Sequence, residues 1–368
     1  MIKRVGIKTV YGEFNLGNKL QNYAVVEVLK RNNLNPTTIR YIQAKFLRGI
    51  LGNIKDIIKR IIYILPNIGM VSKKVKINLN RLKLFEKFSQ EYLEITSTIY
   101  NESNLCSSYT EKFDLIIIGS DQVWNDNDMS KLDLEYFLGV SDTVPCASLS
   151  ASFGVEEISK ENKEVFIKAF SKIYNISVRE YSGQKIIKEL SNRDSILLVD
   201  PTMTLSKKEW IKIQKKPSWF IDNDKYILCY FLGGISKNKL KVEEYAKRSN
   251  LKVIDILDKE SEYYNSGPQE FIYLIRNATI ILTDSFHGCV FSIIFNKDFL
   301  CFERDNQKKK MNSRVETLLN TFNLNNMMFD KEIVINKYDN KKVNSILELE
   351  KIKFDKYLQS ILNELNKD

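Results

Sequence analysis

The stretch TIILTDSFHGCVFSIIF, residues 279–295, runs from a short β-branched apolar segment through a polar Thr-Asp-Ser break to His287-Gly288 and a second apolar stretch. A continuous apolar run, rather than alternation, predicts a strand covered on both faces. The segment after it predicts a buried helix with His287 at or near its N-terminus. Strand, polar turn and helix in that order form the building unit of a parallel sheet.

The unit recurs along the chain. VGIKTV (5–10) leads into LQNYAVVEVLKRN (20–32), FDLIIIGS (113–120) ends at Asp121, NISVRE (175–180) precedes SGQKIIKEL, and SILLVD (195–200) runs into Pro201. Further on, KYILCYFLG (225–233) precedes KNKLKVEEYAKRS, and LKVIDIL (251–257) precedes PQEFIYLIRNA. Two such series predict an α/β protein of two Rossmann-like, doubly wound domains. Their spans are residues 1–205, with a basic amphipathic helical insert at about 45–95, and residues 206–335. A final helix, 336–368, is placed to cross back to the first domain. Ligands of such sheets sit outside the strand C-termini, here in an interdomain cleft.

The insert contains KFLRGILGNIKDIIKRIIYIL (45–65), whose Leu47, Ile50, Leu51, Ile54, Ile57, Ile58 and Ile61 follow helical spacing beside Lys55, Lys59 and Arg60. That pattern fits a helix packed on its own domain, and it equally fits peripheral contact with an anionic membrane. No run is long and apolar enough to span a bilayer, and the N-terminus lacks a signal-peptide core. Five scattered cysteines without C-x-x-C spacing exclude a disulfide framework and a zinc site, and they suit a cytoplasmic protein or one at the inner face of the plasma membrane. With 56 Lys and Arg against 46 Asp and Glu, the chain favours an anionic partner, while the absence of RNA-recognition, zinc-finger and helix-turn-helix signatures argues against nucleic acid.

Several strand ends carry groups suited to chemistry. His287 is the single histidine, and a helix N-terminus beside Ser285 and Gly288 is an anion site. The same residues also fit a capping turn with a space-filling histidine. Arg179 closes a strand just before a helix start, where a guanidinium binds carboxylate or phosphate; an Arg179–Glu180 surface pair is the alternative. Ser120, Asp121, Gln122 and Trp124 follow the strand at 113–120, and Asn15, Asn18 and Gln21 lie in the turn and helix after the first strand. Arg304, Lys309 and Arg314 belong to a cationic run that is either a solvated loop or a phosphate-gathering rim. A GxGxxG fingerprint is absent after the first strand, which weakens a dinucleotide reading.

Taken in order, NLGNKLQNYAV, DLIIIGSDQVW, ISVRE-YSG, VDPTMTL with Trp210, TDSFHGCVFSIIF and NSRVETLL resemble the polysaccharide pyruvyl transferase family over residues 5–325. The resemblance implies a GT-B-like pair of domains and transfer of a pyruvyl group from phosphoenolpyruvate to a sugar of a cell-surface polysaccharide, or its lipid-linked precursor, as a cyclic ketal. It implies His287 as general acid or donor to the departing phosphate, and Arg179 as anion clamp. Asp121 becomes a candidate base, and Ser285, Gly288, Arg304, Lys309 and Arg314 become donor-binding. Asn15, Asn18, Gln21, Ser120, Gln122 and Trp124 become acceptor-binding. No metal and no cofactor beyond the phosphoenolpyruvate co-substrate is required. Leu16 and Asn18 depart from the commoner Tyr and Ala, which leaves the acceptor open. A nucleotide-sugar GT-B glycosyltransferase and a non-catalytic anionic-glycan or membrane-surface binder remain alternatives.

Overall fold

The computed structural model describes residues 2–11, 14–42, 73–100, 110–127, 129–139, 143–222, 224–304 and 313–365. The amphipathic stretch 45–65 and Lys309 lie outside the described residues.

The first half is ordered as β1 (Arg4–Lys8), α1 (Leu16–Arg31), β2 (Asn35–Thr38), α2 (Lys73–Tyr92), β3 (Leu115–Ile118), α3 (Lys131–Leu138) and β4 (Cys146–Ser148). It continues with α4 (Lys163–Lys172), β5 (Ser177–Val178), α5 (Tyr181–Ser191) and β6 (Ile196–Leu197). Strands β2-β1-β3-β4 form one parallel sheet, and β5-β6 form a parallel pair. Bridges Ala147–Asn175 and Ala151–Val178 join the two, so the layer runs β2-β1-β3-β4-β5-β6. The chain moves from β1 to one side and returns to the other, which makes the β1/β3 junction the topological switch point. All four residues of β3, the LIII run, are buried, as a strand covered on both faces must be.

A short 3₁₀ turn, Pro201–Thr204, leads into the second half: α6 (Lys207–Ile213), β7 (Tyr226–Tyr230), α7 (Lys239–Ser249), β8 (Lys252–Asp255), α8 (Pro268–Asn277) and β9 (Ile280–Thr283). Then come α9 (Phe286–Phe295), β10 (Asp298–Cys301), α10 (Ser313–Thr321) and α11 (Asn340–Leu365). Its parallel sheet has the order β8-β7-β9-β10, with the switch point at β7/β9. Strands β2, β4 and β10 escape the sequence reading because NPTT, CAS and DFLC are too short and mixed to show a period.

The two halves share a core. Helix α1 is buried on nearly every side, and the largest apolar cluster runs from β1 and α1 through Trp210 to α8, α9 and α11. Tyr23 of α1 lies 5.5 Å from Trp210, whose ring meets Phe291 of α9 at 4.9 Å. Helix α11 reaches back to the first sheet, where the Tyr357 hydroxyl donates to Ser148 O at 2.8 Å. Helix α2 docks on the second half through Arg81, which is wholly buried and donates to Tyr264 O at 2.9 Å and Ser266 O at 2.7 Å. Its guanidinium also lies 4.3 Å from the Tyr264 ring centre. Arg81→Ala would orphan these carbonyls, and we expect a loss of about 2–4 kcal/mol in urea unfolding without a change of fold by circular dichroism.

Candidate active site

Both switch points open toward each other. At the first, the Thr9 hydroxyl donates to Ser120 O at 3.0 Å and Gln21 Nε2 donates to Thr9 Oγ1 at 2.7 Å. At the second, the Thr283 hydroxyl donates to Tyr230 O at 2.7 Å, and the Asp284 carboxylate accepts from Leu232 N at 2.6 Å and Gly233 N at 2.7 Å. These bonds splay the strand ends at fixed spacing. Three helix N-termini meet there: α1, capped by Asn15; α5, after Glu180; and α9, capped by Ser285. The partial positive charge at each end favours an anion among them.

Asp200, at the end of the β6 segment, is the hub. Its Oδ2 accepts from Ser120 Oγ at 2.8 Å and Arg179 Nη1 at 2.7 Å, and lies 3.6 Å from His287 Nε2. Its Oδ1 accepts from Thr202 N at 3.0 Å and Thr202 Oγ1 at 2.7 Å. Burial alone would raise the Asp200 pKa, but His287, Arg179 and Thr202 outweigh it and hold the group well below the usual carboxylate range. Asp121 answers in the same way: burial is overcome by Arg179, His287 and Asn18, and the pKa falls. Its Oδ1 accepts from Arg179 Nη2 at 3.1 Å and Gln122 N at 2.9 Å, and its Oδ2 from Asn18 Nδ2 at 3.0 Å. Asp121 has φ +78°, a left-handed conformation unusual outside glycine, which the surrounding bonds enforce.

Arg179 is therefore not part of a surface pair. It is buried, and although burial opposes its charge, Asp121, Asp200 and Glu180 raise its pKa. Glu180 is buried too, and accepts from Ser152 Oγ at 3.0 Å, Phe153 N at 2.7 Å and Gly154 N at 3.1 Å. Phe286 neighbours two cations, with Arg179 at 4.5 Å and Arg314 at 5.9 Å from its ring centre. Arg314 is buried, and among the described residues no carboxylate forms a salt bridge with it. Burial, then the nearby Arg179, push its pKa down to about 9. Arg304 donates to Asp284 O at 3.2 Å, with Nε 3.7 Å from Asp284 Oδ2. Among the described residues, buried Nε of Arg179, Arg304 and Arg314, His287 Nε2 and Glu180 Oε2 all lack a hydrogen-bond partner. Such a concentration of unsatisfied polar atoms marks a place where a ligand completes the bonding.

The fold thus brings His287, Arg179, Asp121, Ser120, Asn18 and Arg314 together, along with Asp200, which the sequence places at a strand end and in the family-like VDPTMTL stretch without giving it a role. Its signal was present: a carboxylate at the C-terminal end of an apolar strand, in VDPT. Other assignments need correction. Trp124 is fully buried against Phe153 and Phe170, in the core rather than at an acceptor. Gly288 is needed for packing, not for ligand approach, since a Cβ there would lie 2.3 Å from Thr283 Oγ1. Ser285 accepts from Gly288 N at 3.4 Å as the helix cap. Asn15 likewise caps α1, and the Gln122 amide is turned toward Gly154. Asp121, with a depressed pKa and both oxygens occupied, positions Arg179 and is a poor base.

The family model for polysaccharide pyruvyl transferase matches residues 15–306. The chain belongs to that family. The matched span includes Asn18, Ser120, Asp121, Arg179, Asp200 and His287, and ends before Arg314. Among solved structures, the chain is similar to a glycosyltransferase from Rickettsia africae, with 10% identity, coverage of 99% of this chain and 98% of that one, and a TM-score of 0.51. It is also similar to a UDP-GlcNAc 2-epimerase from Neisseria meningitidis bound to UDP-GlcNAc, at 13% identity over 98% and 94% of the chains with a TM-score of 0.44. The arrangement of the two parallel sheets is GT-B-like. No curated protein matches the chain in sequence. Among the described residues no group of His, Cys, Asp and Glu could hold a metal ion, and no helix is long and apolar enough to cross a membrane.

Two outcomes test this geometry. The folded-state pKa of Asp200 lies below its unfolded value, so its stabilisation is complete above pH ~4 and is lost as pH falls further. Asp200→Asn should lower stability at neutral pH by about 3–5 kcal/mol and flatten the acid limb of a urea-unfolding profile. A Cβ at Gly17 would lie 2.1 Å from His287 Nδ1. Gly17→Ala should therefore move the lone imidazole resonance in the proton spectrum at a stability cost of about 1–3 kcal/mol.

Proposed function

We propose that the protein transfers the pyruvyl group of phosphoenolpyruvate to a saccharide, forming a ketal with two hydroxyls of one sugar. The observation that carries this reading is Arg314, a buried guanidinium with no carboxylate salt-bridge partner among the described residues, which has the Phe286 ring as a neighbour in common with Arg179. Glu180 and Asp121 offset the burial of Arg314 only in part, and a bound anion would remove more of that cost. Phosphoenolpyruvate presents a phosphate and a carboxylate, which suits two guanidiniums, three helix N-termini and His287.

The reaction then needs proton movement and charge stabilisation. A proton from the His287 imidazolium adds to the methylene carbon of the donor, and positive charge develops on the adjacent carbon. An acceptor hydroxyl attacks that carbon, and its proton returns to the imidazole. A second hydroxyl closes the ketal as the carbon–oxygen bond to phosphate breaks, with its proton leaving on the phosphate. Asp200 and Asp121 supply counter-charge for the imidazolium and the developing cation. Arg179 and Arg314 hold the anionic groups of the donor. The acceptor is a saccharide on its way into a cell-surface polysaccharide, and the reaction takes place in the cytoplasm, where phosphoenolpyruvate is made.

Arg314→Met gives the sharpest test because it separates binding from folding. Stability of the unliganded variant should be unchanged or raised by up to ~3 kcal/mol, since a costly charge is gone. Phosphoenolpyruvate at a hundredfold over its Kd should stabilise the wild type by about 2.7 kcal/mol in thermal unfolding and leave the variant unaffected. Equal stabilisation of both proteins, or stabilisation of the wild type by uridine diphosphate alone, would count against the proposal.

A further inference from the structure

A second cavity, of about 320 Å³, shares Arg179, Asp200 and Phe286 with the cluster above but extends between β6, α10 and α11. We propose that it receives the acceptor, as the terminal pyranose of a saccharide; this rests on the donor reading just given. Among the described residues, the other side of the centre has few free polar groups. Asn18 is bonded to Asp121, Gln21 to Thr9 and Ser120 to Asp200, while Trp124 lies in the core. Asn18, Gln21 and Ser120 each spend at least one bond within the protein, and among the described residues Gln21 Oε1 and the Gln122 amide nitrogen on that side keep no partner.

The α10–α11 cavity has the composition they lack. Leu197, Val199, Leu318 and the Phe286 ring form apolar walls, suited to the C–H faces of a pyranose. Asn320, Glu350 and Lys353 bring amide and charged groups to its edge, suited to sugar hydroxyls, beside Thr321, whose hydroxyl donates to Thr317 O at 2.8 Å and can still accept. The Glu350–Lys353 pair is loose, at 3.7 Å, and leaves both groups able to bond elsewhere. Arg314, Thr317 and Thr321 are spaced i, i+3 and i+7 along α10, so one helix face runs from the unpaired guanidinium into this cavity. A single helix would thereby fix the spacing between donor anion and acceptor ring.

Size restricts the acceptor. The volume is at the lower end of ligand pockets, roughly 300–1,000 Å³, and accommodates the end of a sugar chain rather than its middle. The class of reaction that supplies this substrate must leave the target ring terminal, and chain extension from that ring must follow pyruvyl transfer or avoid the two hydroxyls it uses.

The test uses p-nitrophenyl glucosides, galactosides and mannosides, both as binding probes and as acceptors. Saturation-transfer NMR without donor should show contact to at least one of them in the wild type. Asn320→Trp and Leu197→Trp, which fill the cavity from two sides, should remove that contact and raise the acceptor KM about tenfold or more in phosphate-release assays. Stabilisation by phosphoenolpyruvate should persist in both variants. An unchanged acceptor KM in both, or no contact with any of the glycosides in the wild type, overturns the assignment. Because the NMR experiment contains no donor, failure of phosphoenolpyruvate to stabilise the wild type counts against the donor reading alone.

Discussion

One carboxylate oxygen organises this protein. Asp200 Oδ2 takes hydrogen bonds from Ser120 at the end of β3 and Arg179 at the end of β5, and faces His287 at the start of α9. These residues come from both halves, and none could be buried as it is without the others. An isolated ion in such surroundings would lose several kcal/mol of solvation, whereas the assembled network compensates charge with charge. The interdomain geometry is consequently tied to the electrostatics of the site.

The network is not closed. Asp121 and Asp200 neutralise much of Arg179, and Glu180 is satisfied on one oxygen by a hydroxyl and two backbone amides. Arg314 and His287 retain buried nitrogen atoms without a hydrogen-bond partner among the described residues. Stability alone would favour filling those positions with apolar groups, so their retention is best understood through ligand binding and chemistry. The strained φ of Asp121 belongs to the same pattern, because strain persists where neighbouring bonds enforce it.

Much of the fold could be read from local pattern. The buried strands β1, β3, β7 and β9 announce themselves as apolar runs, and the helices that follow them show their period and polar starts. Short strands such as CAS and NPTT cannot, since three or four residues carry no period and their placement comes from pairing with neighbours. For the site, His287 and Arg179 were legible because a rare or long polar side chain at a strand end or helix start is a local feature. Glu180 looked like half of a surface pair, and Trp124 like a ligand platform, because burial depends on what the rest of the chain places over them.

Two parallel sheets, the family resemblance and the strand ends that carry ionisable groups were legible from the chain alone, because they follow from periodicity and short-range order. That Asp200 joins Arg179 to His287, that Asn18, Gln21 and Ser120 bond within the protein, and that Arg314 is buried without a salt-bridge partner among the described residues came only with the folded arrangement. These bonds join residues 12 to 103 positions apart in the chain, and depend on the solvent that folding removes from between them.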